Sequence, residues 1–96
     1  MTIEAKEYLQ VGYKPEVFER VHHYEYRNIR KTAVDANPNW DKKQYPDHHI
    51  WHVDLKQFVR ECPNKYDLIH FTFEPTEYEE ALLSQVLDED GEILVL

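Results

Sequence analysis

Apolar positions along the chain come in short bursts, and the spacing inside the bursts alternates between two kinds. Residues 7–12 (EYLQVG) are short, partly apolar and stop at Gly12. They predict a strand that ends in a turn. Lys14-Pro15 follows, and proline is favoured at the first helical position, where its missing N–H has no partner to lose. Val17, Phe18, Val21 and Tyr24 then recur near helical spacing. Glu16 and Glu19 stand early in this stretch, and Arg27, Arg30 and Lys31 stand late, which complements a helix dipole. The spacing predicts a helix over 15–29.

Residues 31–35 (KTAVD) predict a second strand ending at Asp35, because Asn37-Pro38 signals a turn. Residues 39–48 are polar, broken by Pro46, and read as a loop. HIWHVDL at 49–55 alternates and predicts a third strand, and 56–62 supplies two helical turns stopped by Pro63. YDLIHFTF at 66–73 is the strongest strand signal in the chain. After Glu74-Pro75, Thr76 and Glu79 have the spacing of a capping box, which predicts a helix over 77–87. Asp88 to Gly91 predicts a turn, and 91–96 a terminal strand.

Strands alternating with helices predict an α/β fold built on a parallel sheet with right-handed crossovers. Nearly continuous apolar strands suit a sheet covered on both faces, hence three layers with about five strands and short helices. The tightest step is the second crossover, whose ten polar residues (39–48) are close to the shortest return that parallel pairing allows.

The chain has 96 residues, so a single domain over 1–96 is expected. No apolar run approaches the roughly 20 residues of a membrane span, and no basic-then-apolar leader opens the sequence. The lone Cys62 excludes an internal disulfide and fits a reducing, cytoplasmic compartment. The net charge of −8 argues against binding a phosphate backbone directly. That charge is not evenly spread. Through Lys65 there are 11 basic and 10 acidic residues, whereas Tyr66 to Leu96 holds nine acidic residues and no Lys or Arg. An acidic third of this kind is either a solvated helix face or a surface for a basic partner.

Four patches of the sequence together resemble a known family. Val11-Gly12 closes the first strand, and AVDANP at 33–38 closes the second with an acid. HVDL at 52–55 closes the third with another, and KYDLIHFTFEP at 65–75 leads to VLDEDGEILVL at 86–96. Spaced in this way they resemble the cofactor-binding half of a Rossmann-like, S-adenosylmethionine-dependent methyltransferase. The resemblance implies a ligand site beyond the carboxyl ends of the strands. It implies that Gly12 lets the backbone approach a cofactor, that Asp35 accepts from the ribose hydroxyls, and that Asp54 accepts from the adenine amino group. Phe73 and Glu74 fall where the family keeps substrate-orienting residues. The chain departs from the family in its first loop, Gly12-Tyr13-Lys14-Pro15, where several glycines are usual. Catalytic residues are not assigned.

Other constellations are weaker. His48, His49 and His52 with Asp47 and Asp54 include metal-ligating residue types, but no metal-motif spacing, and no metal is expected. His22 and His23 are adjacent, so a helix turns them apart. Ser84 is the only serine, and Cys62 reads as a structural thiol. EILVL at 92–96 predicts an apolar sheet edge, which is a pairing hazard unless covered. The leading expectation is therefore a small methyltransferase-like domain acting through protein interaction, as a homodimer or with a partner. The first alternative is an S-adenosylmethionine-binding domain or methyltransferase. The second is a small acidic inhibitor, of viral type, of a nucleic-acid-handling protein.

Overall fold

The computed structural model describes residues 5–20, 28–36, 49–62 and 64–95. Five strands and three helices alternate along it. They are β1 (Ala5–Val11), α1 (Pro15–Arg20), β2 (Asn28–Val34), β3 (Ile50–Trp51), α2 (Leu55–Glu61), β4 (Tyr66–Phe71), α3 (Glu77–Ser84) and β5 (Leu87–Val95). All neighbouring strands are parallel, in the order β3-β2-β1-β4-β5. The expected small α/β, Rossmann-like architecture is therefore present. The chain steps outward from β1 to β3, then returns to lay β4 on the other side of β1. The strand order reverses between β1 and β4, and a crevice opens at such a point beyond the strand ends.

The register assigns the two faces. Along β1, Leu9 and Val11 point to one side while Tyr8 and Gln10 point to the other. The first side joins Val34, Ile69 and Phe71 to Phe58 of α2 and Leu83 of α3 in the larger core. Phe58 sits at its centre, edge-on to Trp51 at 5.1 Å and 6.2 Å from Tyr66. The second side joins Tyr8 and Ala33 to Tyr13 and to Phe18 of α1 in a smaller core. The two residues of β3 divide between them, Trp51 against the first core and Ile50 against the second.

Several boundaries differ from the sequence expectation. The helix expected over 15–29 covers Pro15–Arg20, and Asn28 and Ile29 already belong to β2. Residues 21–27, including His22 and His23, lie outside the described residues. Seven paired positions between β1 and β2 draw Asn28 to Val34 into the sheet. Arg30 therefore pairs with Glu7 across the strands at 3.1 Å rather than completing a helix end. Lys31 still serves α1 from β2, because its Nζ donates to the Phe18 carbonyl at 2.7 Å. The third strand shrinks from the expected 49–55 to Ile50–Trp51, since Asp54 starts α2. The loop expected over 39–48 lies outside the described residues.

The terminal strand is longer than expected, because the turn at Asp88 to Gly91 is absorbed into it. Tyr66 pairs with Leu87 but Leu68 pairs with Glu92, so the acidic residues between bulge out of the ladder. Gly91 makes this possible: a Cβ there would meet the Tyr66 carbonyl at 2.9 Å and the Asp88 carbonyl at 3.0 Å. Among the described residues no helix is long and apolar enough to cross a membrane.

Candidate functional site

The crevice between β1 and β4 is shaped first by Gly12. Its φ is +85°, and a Cβ there would stand 2.5 Å from Thr72 Oγ1 and 3.0 Å from the Phe73 ring. Only glycine fits a left-handed turn pressed this closely against the next strand. The Gly12 N–H donates to the Val34 carbonyl at 3.0 Å, and its own carbonyl accepts from Thr72 Oγ1 at 2.8 Å. The loop after β1 is thus tied to both neighbouring strands.

Asp35 follows β2 immediately. Its N–H donates to the Trp51 carbonyl at 3.0 Å, which continues the pairing towards β3. Its carboxylate Oδ2 accepts from the Tyr13 N–H at 2.9 Å. The carboxylate therefore stands beside the glycine turn. Tyr13 does not crowd this position. Its ring is buried in the smaller core and meets Phe18 edge-on at 5.9 Å. Pro15 is the first residue of α1. The two bulky residues of this loop are thus taken up by helix packing and helix initiation.

Gly12, Asp35 and Phe73, with Val11, Val34 and Glu79, line a hollow of about 120 Å³. It adjoins a wider hollow of about 590 Å³ between α2 and α3, lined by Asp54, Leu55, Tyr78 and Leu82. Leu55 and Glu79 belong to both. The wider hollow has a volume within the roughly 300–1,000 Å³ of small-molecule sites but is shallow and open, with Asp54, Lys56, Thr76 and Glu79 beside Leu55, Tyr78 and Leu82.

The five site residues nominated from sequence thus divide. Gly12, Asp35 and Phe73 converge on the small hollow, and Asp54 stands at the wider one. Asp54 also caps α2, because its Oδ1 accepts from the Gln57 N–H at 2.8 Å. Glu74 is exposed and lines neither hollow. Sequence reasoning missed Leu55, Thr72 and Glu79. Glu79 was legible only as half of a capping box, in which its Oε1 accepts from the Thr76 N–H at 2.8 Å. Thr72 carried no signal beyond being a polar residue at a strand end.

Behind the crevice runs a partly buried polar chain. The Lys14 N–H donates to Gln10 Oε1 at 2.8 Å, and Gln10 Nε2 donates to the Tyr8 hydroxyl at 3.4 Å. That hydroxyl lies 2.8 Å from His70 Nδ1. Burial pushes the Tyr8 phenol up to about 12, so its hydroxyl stays protonated. The chain holds the loop after β1 in place from below.

The remaining candidates for chemistry are held in structural roles. Ser84 donates its hydroxyl to the Glu80 carbonyl within α3. Cys62 is half-buried with its Sγ 3.5 Å from the Tyr66 hydroxyl. His52 Nε2 lies 3.2 Å from the Ala36 carbonyl, while Asp47 and His48 lie outside the described residues. Among the described residues no three His, Cys, Asp or Glu side chains gather as a metal site would require. No family model matches the chain, and no curated protein or solved structure is similar enough to match it.

Proposed function

We propose that this chain is a methyltransferase-like α/β domain whose crossover crevice takes the adenosyl portion of S-adenosylmethionine or of a similar nucleoside ligand. The observation that carries the reading is the convergence of Gly12, Asp35 and Phe73, from three different strand ends, on one hollow. A carboxylate at the end of β2 accepts hydrogen bonds from vicinal ribose hydroxyls. The adjoining walls of Leu55 and Leu82 suit the flat, weakly polar faces of a purine. The reading assigns binding and no catalytic residue. Isothermal titration with S-adenosylmethionine, S-adenosylhomocysteine and adenosine tests it. Micromolar binding is expected, weakened at least about tenfold in Asp35→Asn, which keeps an oxygen for the Tyr13 N–H but loses the charge. Absence of heat with all three ligands defeats the reading.

A second reading is supported by a different observation. Among the described residues β5 is bonded to β4 alone, and its Leu94 and Val95 are 45% and 41% exposed. On this reading the domain works mainly as an interaction module, through a second copy or another protein, in the reducing cytoplasm that its single thiol suits. Light scattering across the micromolar range measures self-association directly, and hydrogen exchange on β5 reports whether its edge is covered.

A further inference from the structure

We infer that the outer edge of β5 receives an extended, basic segment of a partner protein as an added strand, which deepens the interaction-module reading and rests on it. Native sheets usually blunt their edges with charged side chains, proline, bulges or a covering element. Among the described residues β5 uses two of these, a bulge and four acidic side chains, and neither reaches Ile93 to Val95. The bulge at Asp88 to Asp90 disrupts the N-terminal half, whereas Glu92 to Val95 runs in unbroken register with Leu68 to Phe71. Among the described residues no strand lies outside this stretch. Ile93, Leu94 and Val95 carry no charge, and Leu94 and Val95 are exposed.

Charge selects the occupant. Asp88, Glu89, Asp90 and Glu92 are all exposed beside the open edge. The whole stretch from Tyr66 to Leu96 contains nine acidic residues and no Lys or Arg to balance them. A second copy would bring the same uncompensated acids to the joint, and like charges across an interface oppose pairing. A strand carrying Lys or Arg opposite Glu92 and the bulge, and apolar residues opposite Ile93 to Val95, satisfies both halves of the edge. Strand addition of this type draws affinity from main-chain hydrogen bonds and selectivity from alternate side chains.

The test titrates the ¹⁵N-labelled full chain with three synthetic peptides. One alternates valine and lysine, one alternates valine and glutamate, and one is the lysine peptide with N-methylated backbone amides. The lysine peptide is expected to shift the amides of Ile93 to Val95 and to slow their hydrogen exchange. Its affinity should fall at least about tenfold between about 0.1 M and about 1 M salt, as the Debye length contracts from about 10 Å to about 3 Å. The other two peptides should not bind. A chain carrying Asp88→Asn, Glu89→Gln, Asp90→Asn and Glu92→Gln should keep its far-ultraviolet circular dichroism and lose at least about tenfold in affinity. Equal binding by the glutamate peptide, by the N-methylated peptide or to the neutralised chain overturns the inference. So does a dimer whose β5 amides are protected without peptide, although that result leaves the interaction-module reading standing. A monomer whose edge accepts no peptide overturns both.

Discussion

Gly12 combines two constraints that act through different atoms. Its backbone is in the left-handed region, and the space its Cβ would need is already held by Thr72 and Phe73. The first costs about 1 kcal/mol for a residue with a Cβ, and overpacking adds about 1–3 kcal/mol. Gly12→Ala should therefore lower the unfolding free energy by about 2–4 kcal/mol, read from urea denaturation. A change below about 0.5 kcal/mol would mean that the turn relaxes and that the contact with Thr72 is not fixed.

His70 supplies a second residue-scale effect. Burial, then the nearby Lys14 ammonium, hold its imidazole below the usual histidine range, and its Nδ1 shares a hydrogen bond with the Tyr8 hydroxyl. The folded chain thus binds fewer protons at this site than the unfolded chain, so stability rises with pH across the window. The contribution is complete above the unfolded value of about 6.5 and is lost as pH falls from there through the folded value. Urea midpoints at about pH 8 and about pH 5 should differ more for the parent than for His70→Gln. Parallel pH profiles for the two proteins would remove His70 as a source of the dependence.

At the scale of elements, the two short helices on the larger core depend on their first residues. Helices of seven and eight residues are too short to persist on propensity alone. Asp54 caps one, and Thr76 with Glu79 caps the other through a complete capping box. Asp54→Ala should cost about 1 kcal/mol while Asp54→Asn costs a few tenths, because asparagine retains the accepting oxygen. Measuring nucleoside affinity on the same pair separates the two roles of this residue. If Asp54→Asn keeps the stability but loses affinity, the carboxylate meets the ligand. If both variants bind as the parent does, Asp54 is a cap alone.

The same elements mark what was legible in the sequence. The capping box was visible in Thr76 and Glu79 because its signal is local, two residues at a fixed spacing. The strand at Tyr66 was visible because its apolar run has no competing helical period. The end of α1 was not visible. Arg30 and Lys31 suit a helix terminus equally well, and only pairing with β1, distant in sequence, draws them into β2. Strand β3 was overread for a related reason. His52 to Leu55 alternates like a strand, yet the side chain of Asp54 bonds Gln57 N–H and turns the chain into a helix. In the crevice, Gly12 and Asp35 were legible as punctuation at strand ends. Leu55 and Glu79 were not, because their place depends on how α2 and α3 lean together.

At the scale of the whole molecule, the sheet is asymmetric. β1 is bonded on both sides, to β2 along seven positions and to β4 along four, whereas β3 contributes two residues at one edge. β1 and β4 also supply Leu9, Val11, Ile69 and Phe71, which join Val34 of β2 in the core with Phe58 and Leu83. The crevice residues hang from this centre: Gly12 continues β1, and Thr72 and Phe73 continue β4. Asp35 follows β2, one strand further out, and depends on β3 for the bond from its N–H. Opening free energies should follow the same gradient. Native-state hydrogen exchange should be slowest at Leu9 to Val11 and Ile69 to Phe71, and at least about tenfold faster at Asp35, whose amide is held by the short edge strand. Adenosyl ligand, if it bridges Gly12 and Asp35, should then slow Asp35 far more than it slows β1. Uniform exchange across all five strands would show instead that the sheet opens only as one unit, and the edge carrying Asp35 would be as firmly held as the centre.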